Sequence, residues 1–358
     1  MIDLNETDTL LKIPNVASAL QSVDEFPAQL KQAYREARAI PLPKEYKKAS
    51  NILVCGMGGS RFPALIIKEL FKDKLRAPLE IQDDYSPPAW AGKNTLIVLS
   101  SYSGTTEEVV YSEPVLRDRG CTLFTGVTSG GDLERILKEK NEPVYVFDPI
   151  HNPSGQPRIG VGYGVGGLLG LLVSAGFIET TDEEIDSAIA ALSSLLASFR
   201  VSVNEEENPA KKLAQKIHNK YPYYIVSEFL RGTGNALANQ TNETAKSISD
   251  FRIIPELNHH LMEGLKFPPE IKKLGLFVFF TSNLYSDRIK KRFDITREVV
   301  EQNTIETYQF PLHGANKIEQ VFELLGLGGY LTMYLSLLYE QDPNAIPFVD
   351  YFKKKLKE

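Results

Sequence analysis

The sequence predicts an α/β protein with two tandem units, each a doubly wound, mainly parallel sheet flanked by helices. Short apolar runs without polar alternation recur along the chain, as in strands that are covered on both faces. Between them lie segments whose apolar residues recur at helical spacing. The same order begins again after about residue 220, and 358 residues exceed the usual length of a single domain. Two similar α/β units are therefore expected.

The first unit begins with a helical lead-in that covers residues 24–39 and ends at Pro41 and Pro43. Strands are predicted at residues 51–56, 79–82, 96–101, 121–127 and 144–148. The helices that alternate with these strands are predicted at residues 62–71, 105–117 and 132–140. This alternation is typical of a parallel sheet with helices on both faces.

Three helical segments lead into the second unit, at residues 161–175, 182–199 and 209–220. The stretch 161–177 is apolar, but it is short and holds six glycines, which favours a buried helix over a membrane span. In the second unit, strands are predicted at residues 223–227, 275–281 and 304–310, and helices run through residues 242–248, 286–300 and 317–340. We place the two domains at residues 1–200 and 201–358.

The charge balance points away from nucleic acid as a partner. Lys and Arg number 40 against 46 Asp and Glu, so the net charge is −6 and a general nucleic-acid binder is not expected. Cys55 and Cys121 lie in apolar, strand-like runs and are expected as buried thiols without a disulfide. The first residues lack the basic and apolar regions of a signal peptide, so we expect a cytoplasmic protein that does not bind membranes.

The loop after the predicted strand 96–101 is the strongest candidate for a binding site. The apolar run passes into Ser-Tyr-Ser-Gly-Thr-Thr at residues 101–106, and two glutamates then begin a predicted helix. A helix N-terminus presents unpaired backbone N–H groups and the positive end of the helix dipole, so it favours an anion. Ser101, Ser103 and Thr106 add hydroxyls that can donate to phosphate oxygens. The alternative is that Ser103 or Thr105 is simply an N-cap.

A glycine loop, Gly-Met-Gly-Gly-Ser at residues 56–60, follows the neighbouring predicted strand. It lacks the G-x-G-x-x-G spacing of a dinucleotide loop, and the better match at residues 162–167 follows a proline-bearing loop instead of a strand. The carboxyl ends of parallel strands lie at one edge of a sheet, where ligands bind. Backbone amides from one loop and hydroxyls from the other therefore predict a cradle for a phosphate or a sugar phosphate.

The two loops together resemble the sugar isomerase (SIS) domain. The wider pattern resembles the bifunctional phosphoglucose/phosphomannose isomerases of the phosphoglucose isomerase superfamily. Three further stretches in the family's order support this: Gln-Pro-Arg at 156–158, Asn-Glu-Thr-Ala-Lys at 242–246, and Pro-Glu-Leu-Asn-His at 255–259. The resemblance covers nearly the whole chain as two tandem SIS domains.

The resemblance implies roles for particular residues. The sugar 6-phosphate would be held by Ser101, Ser103 and Thr106, in a site lined by Gly58, Gly59 and Ser60. Arg158 would stabilise developing negative charge, Glu243 would be the base, His259 would open the sugar ring, and Lys353 would match a lysine near the family's C-terminus. The implied assembly is a homodimer with shared active sites.

The chemistry of aldose–ketose isomerisation calls for the same residue types. A carboxylate such as Glu243 can move a proton between C2 and C1, and the fixed charge of Arg158 suits an enediolate. The imidazole of His259 changes charge near neutral pH and can protonate the ring oxygen. This route requires no metal and no cofactor. Each side chain also has a plainer interpretation: a helix-surface carboxylate, a solvated loop arginine, a structural histidine and, for Lys353, a solvated basic end with Lys354, Lys355 and Lys357.

We therefore expect an isomerase that interconverts glucose 6-phosphate and/or mannose 6-phosphate with fructose 6-phosphate through an enediolate. The alternatives are a non-catalytic sugar-phosphate sensor of the SIS type and an amino-sugar phosphate isomerase. The sequence departs from the family at Arg61, Thr105 and His260. Residues 342–347 also lack the threonine associated in the family with mannose 6-phosphate, so the resemblance supports the glucose activity more than the mannose activity.

Overall fold

The structure is a computed structural model that describes residues 2–356 and 358, so Met1 and Lys357 lie outside the described residues. The strands are β1 (Asn51–Gly56), β2 (Leu79–Gln82), β3 (Thr95–Ser100), β4 (Leu123–Thr128), β5 (Val144–Val146), β6 (Tyr221–Ser227), β7 (Asp250–Ile254), β8 (Gly275–Thr281) and β9 (Glu306–Pro311). The first helices are α1 (Thr7–Leu10), α2 (Val16–Asp24), α3 (Phe26–Arg38), α4 (Phe62–Leu70), α5 (Glu107–Asp118), α6 (Gly131–Glu139), α7 (Val161–Ser174) and α8 (Asp182–Leu196). The remaining helices are α9 (Pro209–Ile217), α10 (Arg231–Thr244), α11 (Leu261–Gly264), α12 (Ile271–Leu274), α13 (Asp287–Gln302), α14 (Lys317–Leu338) and α15 (Pro347–Leu356).

The first sheet has the strand order β2-β1-β3-β4-β5, and every pair is parallel. All six residues of β3 are buried, which agrees with the unbroken apolar run in its sequence. The register pairs Gly56, the last residue of β1, with Ser100, the last residue of β3. The loops that follow these two strands therefore start side by side at the carboxyl edge of the sheet.

The second sheet has the order β7-β6-β8-β9 and is also parallel, so the predicted α/β architecture of two such sheets is confirmed. The sequence analysis missed β7 and wrongly extended the preceding helix through residue 248. Helix α10 ends at Thr244, because Lys246 takes a left-handed conformation with φ of 54°. Strand β7 lies at the sheet edge and four of its five residues are only partly buried, so it lacks the apolar run that marks a central strand.

Smaller differences concern helix ends. The lead-in at residues 24–39 is the end of α2 followed by α3, with the break at Glu25. Helix α5 starts at Glu107 instead of at residue 105, which leaves Thr105 and Thr106 in the loop. Both shifts are within the usual uncertainty of helix boundaries.

Two apolar helices hold the units together. Helix α7 is buried, as predicted, and packs along α3. Helix α14 contacts α2 and α8 of the first unit and α9 and α10 of the second. It is long and apolar enough to cross a membrane, but 94% of its apolar window is buried inside the protein, which is the pattern of a core helix. The two sheets thus share a helical core.

The close contact between α3 and α7 depends on Gly166. A methyl group at this position would lie 2.6 Å from the carbonyl oxygen of Leu30 and 2.9 Å from Cβ of Ala33. Since these neighbours are backbone and a short side chain, they cannot rotate away. We expect Gly166→Ala to destabilise the protein by about 2 kcal/mol in urea unfolding, despite the better helix propensity of alanine. Gly264→Ala is the matched control, because a methyl group there meets nothing within 4 Å; equal stability of the two variants would contradict this packing.

Candidate active site

The loop at residues 101–106 is buried at Ser101 and exposed at Ser103. Ser101 is fully buried; its hydroxyl accepts the N–H of Gly104 at 3.0 Å and lies 2.7 Å from the hydroxyl of Thr106. Ser103 is exposed, and its hydroxyl lies 3.1 Å from that of Thr105. Ser101 therefore shapes the loop, whereas Ser103 and Thr106 can turn their hydroxyls toward a ligand.

Unpaired backbone N–H groups at the same loop make it suited to bind an anion. The N–H groups of Thr106, Glu107 and Glu108 make no hydrogen bond within the described part of the chain. They lie at the first turn of α5, where the helix dipole adds positive potential. Gly104 has φ of 70°, and a side chain there would collide with the carbonyl oxygen of Gly130. The loop can take this shape only with glycine at residue 104.

Two hydrogen bonds that Ser60 accepts connect the glycine loop to the end of β3 and the hydroxyl loop. The Ser60 carbonyl oxygen accepts the hydroxyl of Ser100 at 2.9 Å, and the Ser60 hydroxyl accepts the N–H of Tyr102 at 2.8 Å. The glycine loop also approaches the backbone of Arg158, because a methyl group at Gly59 would lie 3.5 Å from the backbone nitrogen of Arg158. The predicted cradle residues and Arg158 therefore belong to one continuous region.

Arg158 is the buried centre of this region, with only 2% of its surface exposed. All five N–H groups of its guanidinium meet acceptors, which lie in three separate segments of the chain. The acceptors are the side chains of Gln156 (2.8 Å), Glu243 (3.1 Å) and Thr244 (3.2 Å) and the carbonyl oxygens of Pro343 and Asn344 (3.2 Å). Burial lowers the pKa of Arg158 and the Glu243 carboxylate opposes this shift, so the group stays cationic at neutral pH.

Glu243 lies on the last turn of α10 and bridges the buried arginine and the solvent. Its Oε1 accepts from Arg158, while Oε2 makes no hydrogen bond within the described residues. The side chain is 35% exposed. One turn earlier, the Gln240 amide donates to the carbonyl oxygen of Arg158 at 2.9 Å, which fixes α10 against the arginine segment. Glu243 thus has one anchored oxygen and one oxygen free to act as a base.

His259 and Lys353 stand apart from this network. His259 ends a short 3₁₀ helix, is exposed, and makes no hydrogen bond or ion pair within the described chain. Its neighbour His260 lies 3.0 Å from Glu256. Lys353 is exposed on α15, a helix whose described residues are all at the surface. The single chain therefore joins Arg158 and Glu243 but brings neither His259 nor Lys353 into contact with them.

The sequence analysis missed several groups that hold Arg158. Gln156 and Thr244 lie inside the quoted motifs, so their proximity to Arg158 and Glu243 was available as a signal. The carbonyl oxygens of Pro343 and Asn344 carry no such signal, because any residue supplies a carbonyl. Lys246, also inside a motif, donates to the carbonyl oxygen of Asp342 and so approaches the same segment.

Comparison with solved structures supports the fold. The chain superposes on a hypothetical protein from Thermus thermophilus with a TM-score of 0.75 at 15% identity, covering 99% of this chain and 94% of that one. It superposes on tagatose-6-phosphate ketose/aldose isomerase from Escherichia coli with a TM-score of 0.70 at 11% identity, covering 91% and 94%. A family model described as the bacterial phospho-glucose isomerase C-terminal SIS domain matches residues 206–356. The solved structures show the shared fold, and the family model identifies residues 206–356 as a SIS domain.

Sequence relatives identify the family within that class. The chain is 31% identical over 342 residues to a bifunctional phosphoglucose/phosphomannose isomerase from Caldicellulosiruptor bescii, covering 94% of this chain and 98% of the relative. It is 28% identical over 309 residues to a protein of the same name from Thermoplasma acidophilum, covering 86% and 90%. The chain belongs to the family of bifunctional phosphoglucose/phosphomannose isomerases, as the motifs in its sequence indicated.

The hydrogen bonds of Arg158 predict that lysine cannot replace it. A lysine at residue 158 keeps the charge but offers three N–H donors on one atom instead of five in a planar array, so buried acceptors lose their partners. We expect Arg158→Lys to lower the free energy of unfolding by about 2–4 kcal/mol in urea. Arg135→Lys is the control, because that side chain is more than half exposed and its replacement should change little. Equal stability of the two variants would disprove the inference that Arg158 stabilises the fold by joining three segments of the chain.

Proposed function

We propose that the chain interconverts glucose 6-phosphate or mannose 6-phosphate with fructose 6-phosphate through an enediolate. The observation that carries this proposal is the Arg158–Glu243 ion pair of 3.1 Å, together with the approach of the Arg158 backbone to Gly59 of the glycine loop. An anchored carboxylate with one free oxygen and a buried cation, in a chain that also has an anion-binding loop, suits proton transfer on a phosphorylated sugar. The names of the curated relatives support the same substrates.

In the proposed reaction the 6-phosphate binds the N–H groups at the start of α5 and the hydroxyls of Ser103 and Thr106. Glu243 takes the proton from C2 of the open-chain aldose through its free oxygen. The C–H electron pair becomes the C1=C2 double bond, and negative charge moves to the carbonyl oxygen at C1. The proton of the O2 hydroxyl passes to the negative O1, and Glu243 returns its proton to C1, which gives the ketose with C2=O and a hydroxyl on C1. The proton count balances without a metal or a cofactor.

Arg158 contributes through its charge and its hold on Glu243. Since its five N–H groups already have acceptors, it fixes one carboxylate oxygen and leaves the other in place for the substrate. Its cation also lowers the energy of negative charge that develops nearby in a site of low polarity. Direct donation to the sugar would require Arg158 to release one of its present partners.

His259 enters this proposal as a residue of a shared site. It is exposed, and within the described chain its side chain makes no hydrogen bond or ion pair with Glu243 or with any other residue. We propose that two chains associate and that His259 of each reaches the site of the other, where its imidazole protonates the ring oxygen. Lys353, equally exposed, would approach the sugar from the C-terminal helix. A cytoplasmic location belongs to the same proposal.

The function is tested by a coupled assay of the metal-stripped protein with glucose 6-phosphate and mannose 6-phosphate supplied separately. We expect fructose 6-phosphate to form from both, and more rapidly from glucose 6-phosphate. Glu243→Gln should lower kcat by about 10²- to 10⁴-fold while the affinity for fructose 6-phosphate persists, since the amide cannot accept the proton. Glu139→Gln, at the exposed end of α6, is the matched control. Binding without turnover by the unaltered protein would favour a sensor, and full activity of Glu243→Gln would remove the assigned base.

The shared site predicts complementation between two inactive variants. Glu243→Gln and His259→Ala chains are each expected to have low activity. After mixing and subunit exchange, a hybrid dimer contains one site with both Glu243 and His259 intact, so statistical mixing should restore about one quarter of the full activity. Sedimentation establishes the dimer in each sample. No recovery in a mixture proven to contain hybrids would show that the two residues act within one chain.

A further inference from the structure

The proposed reaction needs a hydrogen-bond donor that Arg158 cannot supply. Arg158 is expected to stabilise the enediolate, yet its guanidinium has no N–H group left over. A charge that develops beside Glu243 is stabilised most by a donor aimed at the oxygen that carries it. Another cationic donor close to Glu243 is therefore needed at this position.

Lys246 lies three residues after Glu243, just beyond the end of α10. Its ammonium donates to the carbonyl oxygen of Thr244 at 3.1 Å and to that of Asp342 at 2.5 Å. An ammonium has three N–H groups, so one donor has no acceptor within the described residues. Much of the residue is exposed although its ammonium is partly buried, which leaves room for a ligand at the third N–H group. Lys246 thus has the available donor that Arg158 lacks.

The backbone at Lys246 is also unusual. Its φ of 54° lies in the left-handed region, where glycine commonly follows the end of a helix. This conformation lets the side chain turn back to the carbonyl oxygen of Thr244, only two residues earlier. A lysine that keeps an unfavourable backbone conformation and holds its ammonium near the charges of Arg158, Asp342 and Glu243 is a candidate for a functional role.

The charges around Lys246 come from three segments. Arg158 lies in the loop before α7, Glu243 on α10, and Asp342 in the segment after α14. The pKa of Lys246 is lowered to about 8 by partial burial and, to a smaller extent, by the charge of Arg158, while the charges of Asp342 and Glu243 oppose the shift. Asp342 itself accepts from Asn15 at 2.8 Å and from the N–H of Asn344. A lysine with this pKa is mostly cationic at neutral pH and becomes neutral in the mildly alkaline range.

We propose that Lys246 is a catalytic residue whose free N–H group donates to the oxygen that becomes negative when Glu243 removes the substrate proton. This inference rests on the proposed isomerase function and assigns one more residue to its site. No proton need leave Lys246; the ammonium supplies charge and a hydrogen bond, while Glu243 carries the proton. Arg158 then anchors Glu243 through Oε1, and Lys246 donates a hydrogen bond to the substrate.

The test measures kcat/KM against pH for the full chain and for Lys246→Met and Lys246→Arg, with glucose 6-phosphate as substrate. Lys246→Met should lower kcat/KM at pH 7 by about 10²-fold, the usual effect of losing one oxyanion donor. In the unaltered protein kcat/KM should fall as pH rises through about 8, because Lys246 loses its charge. Lys246→Arg should retain part of the activity and lose this decline, since a guanidinium stays charged. Lys212→Met, at an exposed lysine on α9, is the matched control.

If Lys246 has a purely structural role, replacing it lowers stability, but kcat/KM of Lys246→Arg still falls as the pH rises through about 8, as in the unaltered protein. Circular dichroism checks folding; if Lys246→Met does not fold, the pH profile of Lys246→Arg decides. Activity of folded Lys246→Met within threefold of the unaltered protein overturns the proposal, as does a Lys246→Arg profile that still declines near pH 8. Failure of the unaltered protein to turn over either sugar phosphate would instead overturn the proposed function itself.

Discussion

The buried guanidinium of Arg158 is the interaction on which the rest of the site depends. Its acceptors come from the loop before α7, the end of α10 and the segment after α14. These segments are far apart in the sequence, and one planar group fixes them relative to each other. A buried cation is costly unless every donor is paired, so the three segments must occupy their places together. The position of Glu243 is a consequence of that requirement.

The same constraint relates the site to the shared core. Helix α10 carries Glu243 and packs on α4 and α14, while the cradle loops follow β1 and β3 of the other sheet. Helix α14 touches both units and leads directly into residues 343–344, which hold Arg158. The geometry of Arg158 and Glu243 therefore depends on contacts between the two units. A change in the packing position of α14 would therefore shift the carbonyl oxygens of Pro343 and Asn344, and with them Arg158.

Sequence alone predicted the two parallel sheets, because buried strands leave unbroken apolar runs such as Leu96–Leu99. It also singled out both Arg158 and Glu243, although 85 residues separate them. Strand β7 escaped notice because an edge strand with half-buried side chains has no such run. The carbonyl partners of Arg158 escaped for another reason: a backbone acceptor depends on where the chain runs, and residue type says nothing about it. The roles of His259 and Lys353 stay predictions.

Arg158 could stabilise an enediolate in two ways, by direct hydrogen bonding or by its charge alone, and its present hydrogen bonds distinguish them. Direct contact requires it to give up an acceptor, and an abandoned buried carbonyl costs about 1–3 kcal/mol, which would cancel much of the gain from the new bond. Electrostatic stabilisation without direct contact avoids this loss of a hydrogen bond. The guanidinium keeps its partners, and its charge still acts through a medium of low polarity. Its burial and its five paired N–H groups favour the second mode. Direct donation is then left to a cation that has an unused N–H group and lies within the electrostatic influence of Glu243, and Lys246 meets that description.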